Sequence, residues 1–216
     1  MKKNKPLFIT FEGGEGSGKT SNCLLLKEYL ENKGFKVFLT REPGGASLAE
    51  TVRKILLDPN SKLTPLSELF LYEAARAQHI KEIIEPALKS GAIVICDRFT
   101  DATVAYQGYA RGINTGLIGK LNKAASFGLD PALTIYLDVK PEIGLGKAKK
   151  LNKESYGKNG DRIEMESLQF HKNVRKGYLA QAKKYPQRIK VIKTDKDTEK
   201  TQKLIRKEVD KCLTKF

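Results

Sequence analysis

Residues 11–21 read Phe-Glu-Gly-Gly-Glu-Gly-Ser-Gly-Lys-Thr-Ser. Gly13-Gly14-Glu15-Gly16-Ser17-Gly18-Lys19-Thr20 fills the pattern G-x-x-x-x-G-K-[ST] completely. Its glycines let successive N–H groups turn inward as an anion nest. A helix that begins at the end of the loop adds its positive dipole end. Lys19 then reaches the β- and γ-phosphates of a nucleoside triphosphate, and Thr20 holds Mg²⁺, with Ser21 closing the loop. This motif establishes ATP or GTP binding and says nothing of the acceptor.

Two further stretches carry charge at the ends of apolar runs. Ala92–Cys96 is followed by Asp97-Arg98. An acid at the carboxyl end of a buried strand points into the crevice where open α/β sheets bind ligands. Asp97 can support Mg²⁺ or its waters, and Arg98 can clamp a phosphate. Taken alone, the pair also reads as a strand-end salt bridge. Thr40-Arg41-Glu42-Pro43-Gly44-Gly45 follows another apolar run, and Arg41 is a candidate ligand for an acceptor phosphate or part of an ordinary turn.

Positioning these loops requires a sheet. Strands are expected at 7–11, 35–40, 92–96, 132–138 and 188–192. Helices are expected at 18–33, 47–57, from Pro65 to a stop or kink at Pro86, at 101–110, 117–127, 141–151, 164–184 and 198–215. The apolar side of the first helix is read as Cys23, Leu24, Leu26 and Leu30. That of the Pro65 helix is read as Leu66, Leu69, Phe70, Ala74, Ala77, Ile80 and Ile84. Strands separated by helices imply right-handed crossovers and a five-stranded parallel sheet flanked by helices. The polar stretch 152–161, with two glycines, reads as a mobile flap. The expectation is one α/β domain over residues 1–216, with a lid insert at about 150–162.

The chain has 216 residues and a formal net charge of +15. Residues 141–216 hold 21 Lys/Arg against 10 Asp/Glu, and residues 1–140 hold 19 against 15. These cations are spread over helix-like segments with little aromatic interleaving. They read as solvated faces that attract small polyphosphates, not as a nucleic-acid surface. No apolar run approaches the roughly 20 residues of a membrane span, so no membrane partner and a cytoplasmic location are expected. Cys23, Cys96 and Cys212 form no C-x-x-C pair and read as reduced, buried thiols.

Together the motifs "FEGGEGSGKT", "TREPGG", "YEAARAQH", "CDRFTDATVAYQGYARG" and "GDRIE" resemble the thymidylate kinases over nearly the whole chain. The resemblance implies the P-loop nucleoside monophosphate kinase fold with a mobile LID. It implies transfer of the γ-phosphoryl of ATP to dTMP for dTTP biosynthesis, with Mg²⁺. By position, Glu15 would bond the deoxyribose 3′-hydroxyl, and Arg98 would hold the dTMP phosphate. Arg41 and Pro43 would line the phosphate and sugar. Arg76 would read a thymine carbonyl, with Tyr72 one turn earlier stacking on the base. Tyr106 would crowd the sugar 2′ position, and Thr103 and Gln107 would lie near the base.

The P-loop positions Gly14, Glu15, Gly16 and Ser17 hold no cation, so "YGKNGDRIE" resembles the type that brings basic residues in on the LID. Arg162 matches the LID arginine. Lys158 stands where arginine is more common and lacks the bidentate fork. The resemblance also implies a homodimer, and an adenine end near Thr194-Asp195-Lys196. Competing readings are a kinase acting on another monophosphate such as dUMP or dCMP, and a P-loop ATPase acting on nucleic acid, which predicts DNA-stimulated hydrolysis.

Overall fold

The structure, a computed structural model, describes residues 6–151, 160–194 and 197–214. Five parallel strands form one sheet: β1 (Leu7–Glu12), β2 (Val37–Arg41), β3 (Ile93–Asp97), β4 (Leu133–Asp138) and β5 (Ile189–Lys193). Their spatial order is β2-β3-β1-β4-β5. The register pairs Phe11 with Asp97 and Arg41 with Asp97, so the charged loops leave the sheet at one level. Every residue of β1 and β4 is buried. That explains why these strands read as unbroken apolar runs, not alternating ones. The order reverses beside β1, and the carboxyl ends there open the crevice that such a switch creates.

Helix α1 (Lys19–Asn32) begins directly on the P-loop, and α2 is Ser47–Leu57. Helix α3 (Pro65–His79) is capped by Thr64, whose side chain accepts from Ser67 N–H. It runs on through one wide π turn (Ile80–Ile84) into α4 (Glu85–Lys89). The helix is therefore not stopped at Pro86: it continues through a π turn just ahead of the proline, which itself donates no N–H bond. Helix α5 (Thr100–Thr103) likewise widens into a π segment over Val104–Ala110, where one regular helix was expected.

Helices α6 (Thr115–Ala125), α7 (Pro141–Leu151), α8 (Leu168–Lys184) and α9 (Thr198–Leu213) complete the two covering layers. Helix α8 begins four residues later than expected. Ser167 caps it, and Asp161 Oδ1 accepts from Ile163 N–H and Glu164 N–H, both at 2.9 Å, folding 161–164 as a turn. The main core packs Leu26 and Leu30 of α1 and Ile205 and Val209 of α9 against one sheet face. Leu24 is exposed, as are Leu66, Phe70 and Ala74, so the apolar stripes of α1 and α3 are narrower than expected.

Candidate active site

The P-loop leaves β1 through Gly13 and closes on the first residue of α1. Gly16 and Gly18 have φ of 62° and 86°, where a side chain would be strained. Gly16 also lies so close to α7 that a Cβ on it would strike the Gly144 carbonyl, and a Cβ on Gly144 would strike the Glu15 carbonyl. Lys19 is buried and folds over the loop, donating to the carbonyls of Gly13 (3.1 Å) and Gly14 (3.0 Å). Burial and the Arg98 charge push its pKa down, against the opposing pull of nearby acids. Ser17 Oγ is buried in the loop and has no hydrogen-bond partner among the described residues.

Thr20 and Asp97 meet across the β1–β3 seam, Thr20 Oγ1 donating to Asp97 Oδ2 at 2.9 Å. A hydroxyl and one carboxylate beside a phosphate nest form a hard-oxygen donor set of the kind Mg²⁺ uses. The orphan Ser17 hydroxyl within the same nest fits a phosphate oxygen.

A second cavity of about 570 Å³, open solvent included, lies beside the loop. Its walls bring together Glu15, Pro43, Tyr72, Arg76, Arg98, Thr103, Tyr106 and Gln107, residues spread over 93 positions of sequence. Arg98 has φ of 72°, a left-handed conformation rare for a side-chain-bearing residue. That turn aims its guanidinium back across the P-loop. Nη2 donates to Glu15 Oε1 at 2.6 Å, and Nη1 donates to Gly13 O and to Tyr106 Oη, each at 3.0 Å. Tyr106 Oη donates in turn to Glu15 Oε1 at 2.8 Å. Burial alone would raise the Glu15 pKa, but Arg98, Lys19 and the Tyr106 hydroxyl bring it down to about 2.

Arg76 is 2 % exposed and spends every donor it has. Nε reaches Glu42, Nη1 reaches Glu73 and Asn122, and Nη2 reaches Phe99 O and Thr103 Oγ1, at 2.7–3.2 Å. A base carbonyl can take an Arg76 hydrogen only by sharing it with one of these acceptors. Thr103, whose oxygen accepts from Arg76, keeps its own O–H for donation. Tyr72 forms one wall, its phenol pKa raised by burial.

Two expected site residues lie elsewhere. Arg41 lines a separate cleft with Thr20, Gly45 and Asp97, not the cavity with Arg98. Both Glu50 oxygens accept from its Nη2, at 2.9 and 3.0 Å, which draws the guanidinium toward α2. Arg162 does not turn toward the P-loop. It donates from Nε to Leu56 O at 2.7 Å and pairs through Nη1 with buried Glu68 at 2.7 Å. The turn built on Asp161 sets that direction. Lys158, Asp195 and Lys196 lie outside the described residues.

The structure adds residues that were not singled out from sequence. Arg53 lines the acceptor cavity while donating to Pro43 O at 2.9 Å. Glu42 holds Arg76 and also His79 Nδ1, at 3.1 Å. Asp161 closes the far wall, its carboxyl raised in pKa by burial. Glu42 is held by partners 34 and 37 residues away, whereas Asp161 is placed by its own local turn with Ile163 and Glu164.

A parallel sheet of this order, with a phosphate nest after β1, an acid after β3 and a second cavity beside the nest, defines a P-loop nucleoside monophosphate kinase. The thymidylate kinase family model matches residues 11–205. A thymidylate kinase of Geotalea daltonii is 52% identical over 197 residues, covering 90% of this chain and 92% of its own. One of Gloeobacter violaceus is 48% identical over 207 residues, covering 96% of both. The crystal structure of thymidylate kinase from Ehrlichia chaffeensis superposes with a TM-score of 0.75 at 37% identity, covering 94% of this chain and 98% of that one. The chain belongs to the thymidylate kinase family.

Proposed function

We propose that this enzyme, an ATP:dTMP phosphotransferase, holds the triphosphate on the P-loop and dTMP in the adjoining cavity, and transfers the γ-phosphoryl directly between them. The observation that carries this reading is the convergence of Glu15, Arg98 and Tyr106 on one point between the two sites.

Arg98 gives three of its five N–H groups to Glu15, Gly13 O and Tyr106. Nε and one Nη2 hydrogen remain for the acceptor phosphate. Glu15, kept ionised, accepts from a sugar hydroxyl, and Tyr106 stands beside it where a 2′-hydroxyl would crowd. Tyr72 offers a face to the base. The Thr103 hydroxyl donates to a carbonyl edge, and the Gln107 amide oxygen accepts from the pyrimidine N3–H.

On the donor side, Lys19 and the loop N–H groups neutralise the phosphates, with Gly13, Gly14, Gly16, Ser17, Gly18 and Ser21 shaping the nest. Thr20 and Asp97 would hold Mg²⁺ or its waters. When bound, the ion offsets charge that spreads over the transferring group. Lys158 supplies a cation from the LID at about 150–162, and Arg162 anchors the LID's trailing end. One domain carries both sites. No helix among the described residues is long and apolar enough to cross a membrane, and we place the enzyme in the cytoplasm. The exposed apolar residues Leu66 and Phe70 of α3 fit a homodimer face.

The test is ADP release from ATP/Mg²⁺ with dTMP, dUMP, dCMP, dGMP, AMP or single-stranded DNA as second component. Stimulation by dTMP, with weaker dUMP turnover, is expected. Stimulation only by another monophosphate overturns the base site, and stimulation only by DNA overturns the acceptor reading.

A further inference from the structure

Glu68 is a charged residue that the proposed chemistry leaves unused, yet it is 1% exposed and sits behind the acceptor cavity in the first turn of α3. Three hydrogen bonds and one further ion pair surround its carboxylate. Oε1 accepts from Gln107 Nε2 at 2.8 Å and from Arg111 Nε at 3.1 Å. Oε2 accepts from Arg111 Nη2 at 3.0 Å and forms an ion pair with Arg162 Nη1 at 2.7 Å. Burial would raise its pKa, but the hydrogen bonds from Arg111 and Gln107 and the charges of both arginines hold it below the usual value. It is thus an ionised carboxylate, which accepts hydrogen bonds and donates none.

That has a consequence for Gln107. A carboxamide carries a donor and an acceptor of nearly equal size, and either can face a given direction. Next to an acceptor-only neighbour, only the NH₂ can face inward. The amide oxygen is then the polar atom left for the cavity that Gln107 lines. A base with N3–H, such as thymine or uracil, gives that oxygen a proton. Cytosine brings an N3 lone pair against it, and the site rejects what it cannot pair.

We propose that Glu68 is a positioning residue for base choice: by staying acceptor-only, it fixes the polarity that Gln107 shows to the acceptor. Arg111 and Arg162 are the counter-charges that keep it so. This rests on the reading of the cavity as the pyrimidine site.

The experiment measures kcat/KM for dTMP and for dCMP in the full-length enzyme and in Glu68→Gln, at saturating ATP. The new amide can offer its own NH₂, which frees Gln107 to turn over. The dTMP/dCMP ratio is expected to fall at least about tenfold, with KM for ATP within about twofold, and Glu68→Asp is expected to keep the ratio. A purely structural role would lower both efficiencies together. If Glu68→Gln does not fold, Gln107→Met reads the same ratio while leaving both arginine pairs in place. An unchanged ratio in whichever variant is read overturns the assignment alone. A wild-type enzyme that leaves dTMP unphosphorylated overturns the pyrimidine reading and the assignment with it.

Discussion

Arg98 and Glu15 meet at 2.6 Å across the mouth of the P-loop, one from the end of β3 and the other from the loop after β1. The contact joins the nucleotide-binding loop to the acceptor cavity. Each side chain is less than one-fifth exposed, so the pair is shielded without being sealed. The left-handed backbone of Arg98 costs about 1–3 kcal/mol and is held by the sheet around it.

Glu15→Gln removes the charge that orients Arg98 and the acceptor for a sugar hydroxyl. Losing one charge-assisted hydrogen bond costs about 1.5–3 kcal/mol. dTMP binding, measured by calorimetry, should weaken about 10- to 100-fold. The Glu15 pKa is depressed from 4.5 to about 2. Its contribution is therefore present above pH 4.5 and is lost only as pH falls through 2. Carbon-13 titration of the Glu15 carboxyl should show no step between pH 4 and 9. A step near pH 4.5 would mean that the pair does not form.

Arg162→Met should act on stability before chemistry. It leaves Glu68 with Arg111 and Gln107 but strips away the 2.7 Å pair and the bond to Leu56 O. A cost of about 1–3 kcal/mol lowers Tm by roughly 2–12 °C in a chain of this size. Lys158→Arg should change kcat less than about tenfold. If Arg162→Met abolishes kcat at unchanged Tm, Arg162 reaches the phosphates during turnover.

The sequence pointed to the site most clearly where chemistry and local structure coincide. The P-loop is a contiguous motif, and eight of the nine residues assigned to the acceptor line one cavity. Arg41 and Arg162 were harder to place. A motif fixes a residue's position on the chain but not which acid will take its side chain. Glu50 lies nine residues from Arg41, and Glu68 lies 94 from Arg162. The two π segments were invisible to 3.6-residue periodicity because each continues directly from a regular helix, α3 or α5. Glu68 was not singled out from the sequence, because the three partners that bury its charge, Gln107, Arg111 and Arg162, lie on other elements.

Gly144→Ala tests the contact between α7 and the P-loop. A Cβ there collides with the Glu15 carbonyl, which is backbone and cannot swing aside. Alanine suits a helix better than glycine by about 1 kcal/mol, so α7 itself gains. The strain falls on the loop, and a small misplacement of reacting groups costs up to about 100-fold. The expectation is a fall in kcat/KM for ATP of about tenfold or more, with the far-UV circular dichroism spectrum retained. Unchanged ATP kinetics would show that the loop yields freely.

Phe70→Glu tests the dimer face. Phe70 is 52% exposed on α3, one turn from Leu66 at 45%. A charge there should leave the monomer fold intact, since the core side of α3 is Leu69 and Ala75. Sedimentation velocity should show a dimer for the wild type and a monomer for the variant. A monomeric wild type, or a dimeric variant with undiminished affinity, removes α3 from the interface.

Glu12 sets how stability depends on pH. It is fully buried at the end of β1, where Oε1 accepts from Phe99 N–H and Oε2 from Tyr178 Oη, both at 2.8 Å. Burial, reinforced by the nearby Asp101 charge, raises its pKa from 4.5 to about 8. Between those values the folded chain keeps a proton that the unfolded chain has released. The Glu12 contribution is full below pH 4.5, declines as pH rises, and is spent above 8. Glu12→Gln keeps an acceptor for Phe99 N–H and cannot titrate. The Tm of the variant minus that of the wild type should grow from pH 5 to pH 8 and then level off, by several degrees in all at about 1.4 kcal/mol per pH unit. A difference that stays constant from pH 5 to 9 would show that Glu12 releases its proton at an ordinary carboxylate pKa, with Arg98 outweighing the burial.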